Sequence, residues 1–210
     1  MPLQLPRIYP ITDKRLSGRA THLSILKELV RGGARLVQIR DKDTPLDDLL
    51  ADLTNCVEFA YKHDVQILVN DRCDLTLSSG AAGVHLGQED LPPVAARRLL
   101  GPDRIIGHST HSMREAENSF GAPVDYIGFG PVFATATKAD PAPIVGLTRL
   151  KRVCHRSPRP VVAIGGVGLD QVSAVLEAGA ASAAVISGLM RGKNLARRME
   201  GFLKQARAKP

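Results

Sequence analysis

A chain of 210 residues with 44% hydrophobic content is long enough to bury one sizeable core and too short for two ordinary domains with cores of their own. No stretch approaches the roughly 18 apolar residues of a membrane span, and Met1-Pro2-Leu3-Gln4-Leu5-Pro6-Arg7 has no apolar run behind a basic start. These features exclude a helical membrane protein and predict one soluble, cytoplasmic domain over 1–210, while the formal charge of +7 leaves a polyanion partner to be weighed.

Short aliphatic or β-branched runs recur along the chain, each closed by polar or glycine residues and followed by a segment of helical character. Candidate strands cover 7–11, 36–39, 66–69, 83–86, 105–107, 126–129, 161–164 and 182–186. Candidate helices lie near 18–32, 45–63, 72–79, 92–100, 112–120, 146–156, 169–178 and 193–208. Val161-Val162-Ala163-Ile164 is continuously apolar, as a parallel strand buried on both faces requires. Eight βα pairs with no dividing linker, and no G-x-G-x-x-G turn after the first strand, favour a single (β/α)₈ barrel over a doubly wound open sheet.

Residues 191–210 hold seven basic residues against Glu200 alone, a net +6, so the rest of the chain is nearly neutral. Leu195, Met199, Phe202 and Leu203 recur there at helical spacing, which predicts a terminal helix with an inward apolar stripe and a solvated basic face. No aromatic stacking positions accompany the charge, which argues against nucleic-acid binding. Cys56, Cys73 and Cys154 are odd in number and lack C-x-x-C spacing, so three reduced thiols are expected rather than a disulfide framework or a zinc site.

In a closed barrel the loops after the strands open on one face, so the residues just beyond each strand converge on one pocket. After the second strand, alternation sends Gln38, Arg40 and Lys42 to one side, where two cations and an amide suit a polyanion; the alternative is a surface ion-pair cluster with Asp41 and Asp43. Asp71 and Asp90 end the neighbouring third and fourth strands, a pairing able to hold Mg²⁺ together with substrate phosphate; the alternative is that either one caps the following helix. His85, His108 and His111 sit in no nucleophilic or zinc motif, so no histidine is assigned acid–base catalysis, and Ser109 and Thr110 are expected to orient a ligand ring. Gly128 to Lys138 reads as a glycine-rich turn leading to Thr135, Thr137 and Lys138, a lid for an anion. Gly165-Gly166 and Ser187-Gly188, after the last two strands, offer backbone N–H groups to a phosphate.

These motifs, in order, resemble the thiamine-phosphate synthase family: Gly32-Gly33 with Gln38-x-Arg40-x-Lys42; Asn70-Asp71-Arg72; Gly83 to Asp90; Ser109-Thr110-His111; Gly128 to Phe133 with Thr135-x-Thr137-Lys138; and Ile164-Gly165-Gly166. The resemblance implies a transferase that joins a pyrimidine diphosphate to a thiazole phosphate through loss of diphosphate, with small phosphorylated partners and Mg²⁺ as cofactor. It implies that Gln38, Arg40, Lys42, Asn70, Ser109 and Lys138 hold the pyrimidine diphosphate, that Asp71 and Asp90 bind the metal, and that Thr135, Thr137, Gly166, Ile186 and Ser187 receive the thiazole phosphate. His108 stands where the family usually has a small aliphatic residue, and Ala134 and Ala136 replace prolines that often flank the lid hydroxyl.

Two other functions stay open at this point, a related thiazole tautomerase and a non-catalytic sensor of thiamine intermediates, as does a homo-oligomer. The tautomerase pattern lacks the aspartate of Asn70-Asp71, the Gly87 to Asp90 block and the Thr-x-Thr-Lys lid, all present here. From the resemblance, Asp71→Asn and Lys138→Ala are each expected to lower turnover at least about tenfold, roughly 1.4 kcal/mol of transition-state stabilisation, in a steady-state assay of product formation.

Overall fold

The computed structural model describes residues 3, 5–135 and 142–207. Its eight strands are β1 (Ile8–Pro10), β2 (Leu36–Ile39), β3 (Gln66–Asn70), β4 (Gly83–Leu86), β5 (Ile105–Thr110), β6 (Tyr126–Phe129), β7 (Val161–Ala163) and β8 (Ser182–Val185). All the pairs are parallel, in the order β1-β8-β7-β6-β5-β4-β3-β2, so each strand lies beside its neighbours in sequence. The ring closes at an Ile11–Gln38 bridge, reinforced by the Thr12 N–H donating to the Gln38 carbonyl at 2.9 Å. The (β/α)₈ barrel expected from the sequence is the fold observed.

The helices are α1 (Lys14–Ser17), α2 (His22–Arg31), α3 (Leu46–Lys62), α4 (Cys73–Ser79), α5 (Pro93–Leu100), α6 (Met113–Phe120), α7 (Gly146–Arg156), α8 (Val172–Glu177), α9 (Ser187–Met190) and α10 (Leu195–Arg207). Along each strand alternate residues serve two cores. Tyr9, Ile11, Leu36, Leu68, Ile105, Tyr126, Val162 and Ala184 fill the barrel interior, while Ile8, Val37, Ile67, Val69 and Ala183 meet the surrounding helices. Double-sided burial explains the unbroken apolar strands. In α10, Leu195, Met199 and Phe202 are buried, so the apolar stripe faces inward.

Several boundaries differ from expectation for local reasons. The helix expected near 18–32 starts only at His22, because Thr21 caps α2 by accepting the Ser24 N–H, and the unexpected short α1 precedes it and ends at the left-handed Gly18. The strand expected to stop at 107 runs on to Thr110, since Ser109 and Thr110 pair with Gly128 and Phe129. The helix expected at 169–178 begins as a 3₁₀ turn, Leu169–Gln171, and α9 was not expected at all.

The barrel interior sets the stability of the whole ring. Leu68 is fully buried there, and Leu68→Ala is expected to cost about 3 kcal/mol, measured as a lower urea midpoint with an unchanged denaturant slope.

Candidate active site

The C-terminal ends of the strands surround a cavity of about 740 Å³. Gln38, Arg40 and Lys42 line it from β2, Asn70 and Asp71 from β3, Asp90 from the loop after β4, and Ser109 from β5. Thr135 follows β6, Gly166 follows β7, and Ile186 and Ser187 follow β8. Every described residue that the family resemblance assigns to the site therefore reaches one cavity, whereas Thr110, expected to orient a ligand ring, does not: it is buried and its hydroxyl donates to the Gly128 carbonyl at 2.9 Å. Thr137 and Lys138 lie outside the described residues.

Arg40 and Lys42 do not form the surface cluster with Asp41 and Asp43 that the sequence left open. Arg40 Nη1 stands 3.8 Å from Asp13 and Lys42 Nζ 3.7 Å from Asp71, both loose contacts, whereas the Asp43 carboxylate faces Arg15 at 4.0 Å on the surface. Asp41 turns inward, its side chain 4% exposed, and accepts from Lys14 Nζ at 2.9 Å, His22 Nε2 at 2.9 Å and the Thr44 hydroxyl at 2.7 Å. Thr12 Oγ1 accepts the Arg40 N–H at 3.1 Å and meets His22 Nδ1 at 2.8 Å, so its one proton goes to that nitrogen and the His22 Nε2–H donates to Asp41. Burial alone would raise the Asp41 pKa, but the Thr44 and Asp43 amides and Lys14 override it and hold the carboxyl well below the usual carboxylate range. Burial pushes the His22 pKa down, with Asp41 opposing, which suits the neutral ring this pattern requires. The backbone that carries both cations thus rests on a satisfied polar support.

Asp71 and Asp90 face each other. Burial first, and then the adjacent Asp90 carboxyl, raise the Asp71 pKa, with Lys42 and the Asn70 side chain pulling the other way. The Asp71 backbone adopts φ 65°, a left-handed conformation tolerated by Asp better than by most residues, and its N–H donates to the His85 carbonyl at 2.8 Å. Asp90 accepts the Gly87 N–H at 2.6 Å. Neither caps a helix: Arg72 and Pro92 occupy the N-cap positions of α4 and α5, without side-chain cap bonds. The capping alternative is overturned, and a carboxylate pair that repels itself in a polar cleft is a place for a hard cation. No group of three or more His, Cys, Asp or Glu able to hold a metal occurs among the described residues. A cation here would keep water and ligand oxygens in its shell.

The histidines are tied into the frame. His85 Nδ1 meets Tyr126 Oη at 2.8 Å and Nε2 meets Ser109 Oγ at 2.8 Å; Tyr126 Oη lies 3.0 Å from Tyr9 Oη, which accepts from Gln38 Nε2 at 2.8 Å. His111 Nδ1 bonds the Gly130 carbonyl at 2.7 Å, and His108 spans Ser119 at 3.0 Å and Gln88 at 3.2 Å.

Across the mouth, Gly166 has φ +66°, and a Cβ there would stand 2.3 Å from the Ala134 carbonyl, so the loops after β6 and β7 can pack together only because that residue is glycine. Beside them a smaller cavity of about 210 Å³ is lined by Thr135, Gly166, Gly168, Ser187, Gly188 and Arg191, among others. Arg191 was missed in the sequence because it falls in the basic terminal run. Thr12, Lys14, His22 and Asp41 were missed because their contacts join residues far apart along the chain.

A family model described as thiamine monophosphate synthase matches residues 8–189. The thiamine-phosphate synthase of Myxococcus xanthus is 46% identical over 196 residues, covering 93% of this chain and 90% of that one. That of Anaeromyxobacter dehalogenans is 43% identical over 194 residues, covering 91% and 87%. Among solved structures, thiamine phosphate pyrophosphorylase from Pyrococcus furiosus superposes with a TM-score of 0.87 at 33% identity, covering 95% of each chain.

The support beneath Arg40 has a pH signature. A carboxyl whose folded pKa is depressed contributes stability that is complete above its unfolded value, about 3.9, and is lost as pH falls through the folded one. Asp41→Asn is expected to cost about 2 kcal/mol or more at neutral pH and to show a shallower further loss than the wild type below about pH 4, read from urea midpoints across a pH series.

Proposed function

The chain belongs to the thiamine monophosphate synthase family, and from that premise we propose how its barrel mouth carries the reaction. The reaction is condensation of 4-amino-2-methyl-5-(diphosphooxymethyl)pyrimidine with 4-methyl-5-(2-phosphooxyethyl)thiazole to give thiamine phosphate and diphosphate. The observation that carries the site assignment is the division of one mouth into two anion-receptive halves. On one side Arg40 and Lys42 stand beside the Asp71–Asp90 pair; on the other, the glycine-bearing loops after β7 and β8 stand beside Thr135 and Ser187.

In this reading Arg40 and Lys42 take the diphosphate, Arg as a two-pronged donor and Lys as a point charge. Gln38, Asn70 and Ser109 orient the pyrimidine. Thr135, Gly166, Ile186 and Ser187 receive the thiazole phosphate, with the Ser187 and Gly188 amides that open α9 as further donors. Thr137 and Lys138 are assigned to the thiazole phosphate and the diphosphate by the family resemblance. The carboxylate pair fits Mg²⁺, which takes one or two protein carboxylates and completes its shell with water and phosphate oxygens. Held by Asp71 and Asp90, Mg²⁺ would supply charge neutralisation for the departing diphosphate.

Bond breaking precedes bond making: the pyrimidine-bearing carbon loses diphosphate, and the resulting cation, delocalised into the aminopyrimidine, is attacked by the thiazole nitrogen. The chain's contribution is to hold both rings in line and to stabilise the leaving anion, so no protein nucleophile is assigned. His85, His108 and His111 are given no proton-transfer step; both ring nitrogens of His85 and His108, and Nδ1 of His111, are engaged by neighbouring side chains and carbonyls. No described helix is long and apolar enough to cross a membrane, and we place the protein in the cytosol, acting on small phosphorylated molecules.

Formation of thiamine phosphate is to be measured with each substrate omitted in turn, then with Mg²⁺ and with chelator. Product that needs both substrates and metal is expected; a folded protein that binds both ligands and releases no diphosphate would overturn the assignment. Arg40→Ala is expected to raise the KM for the pyrimidine diphosphate about tenfold or more, the scale of one charge-assisted hydrogen bond, with the KM for the thiazole phosphate little changed.

A further inference from the structure

Five side chains from five strands form one hydrogen-bonded line through the barrel, from Gln38 on β2 through Tyr9 on β1, Tyr126 on β6 and His85 on β4 to Ser109 on β5. Only the two ends and His85 line the large cavity. Tyr9 and Tyr126 are fully buried, and burial pushes both phenols above their ordinary pKa, so each remains a neutral O–H with a single proton to give. Room for the line is built in: a Cβ at Gly107 would stand 2.1 Å from Tyr126 Cζ, so only glycine on β5 lets that ring lie where it does.

Proton counting gives the line a direction. Gln38 Nε2 donates to Tyr9 Oη at 2.8 Å, so the Tyr9 proton goes on to Tyr126 at 3.0 Å and the Tyr126 proton to His85 Nδ1 at 2.8 Å. His85 is thereby left as its Nε2–H tautomer, which donates to Ser109 Oγ at 2.8 Å. At the two ends, Gln38 keeps Oε1 as an acceptor and Ser109 keeps its hydroxyl proton as a donor. Reversing either end requires reversing every link, because each buried group has one sense to offer and an unmatched one goes unsatisfied.

We propose that Tyr9, Tyr126 and His85 are positioning residues that lock Gln38 as acceptor and Ser109 as donor, and so select an amino-substituted over an oxo-substituted pyrimidine. The inference rests on the pyrimidine reading of this half of the mouth. An aminopyrimidine brings an exocyclic N–H donor for Gln38 Oε1 and a ring nitrogen to accept from Ser109. The oxo counterpart carries C=O in place of the amine and N–H in place of a ring nitrogen, the inverse pattern, and meets a like group at each end.

The test is equilibrium binding, so that the different ease with which the two pyrimidines lose diphosphate does not enter. Kd values for the amino and the oxo pyrimidine diphosphates are measured on the full chain with Mg²⁺ and without thiazole phosphate. Wild type is expected to prefer the amino form by about tenfold or more, the cost of one mismatched buried hydrogen bond. Tyr126→Phe and Tyr9→Phe, which cut the line at different links, are each expected to bring the two Kd values within about threefold, whereas Tyr61→Phe, 82% exposed on α3, leaves the preference intact. Equal wild-type affinity for the two pyrimidines overturns the proposal without any variant. So does a preference that survives in a folded Tyr→Phe variant, or one that both affinities lose in proportion. Failure to bind either pyrimidine would instead fault the substrate reading itself.

Discussion

Closure of the barrel between β1 and β2 is its narrowest seam, and much of the mouth hangs from it. β1 has only three residues, so the ring shuts on the Ile11–Gln38 bridge and the Thr12 amide bonded to the Gln38 carbonyl. Two of the three residues at that seam also support the cavity. Gln38 gives its backbone to closure and its side chain to Tyr9, and Thr12 gives its N–H to closure and its hydroxyl to the Arg40 backbone and His22. A register slip here would therefore displace a cation and an amide of the cavity as well as open the ring.

Charge in the mouth is arranged by what each group is denied as much as by what it is given. Asp41 is saturated by Lys14, His22 and Thr44, so it does not compete for its neighbours Arg40 and Lys42. Those two cations keep loose contacts with Asp13 and Asp71, at 3.8 Å and 3.7 Å, distances that an incoming polyanion can displace at little cost. Asp71 and Asp90 are left facing each other, which is costly until a cation joins them. The preparation is electrostatic, which is what the proposed departure of diphosphate from this half of the mouth would draw on.

Strand-end positions were legible because a parallel barrel puts every such residue on one face, and the described members of the predicted set share one cavity except Thr110, whose hydroxyl is spent on the Gly128 carbonyl. The alternatives at single residues were not legible. Whether Asp90 caps α5 or faces Asp71, and whether Asp41 lies on the surface or beneath Arg40, depends on side-chain direction in the loops, where no periodicity operates. Arg191 reads in the sequence as one more charge in a basic tail, and only the packing of the turn after α9 brings it beside Gly166 and Ser187.

The amino-acid sequence by itself determined the eightfold βα alternation, the double-sided burial of the strands and the chemistry available at each strand end, because these depend on local periodicity and on residue type. The tertiary structure alone decided which of those groups are joined. Tyr9 and Tyr126 lie 117 positions apart and share a hydrogen bond, as do His85 and Ser109 across 24 positions, and Thr12 meets Arg40 across 28. Such contacts are made when the ring closes, and each requires a direction and a proton count that no spacing along the chain encodes.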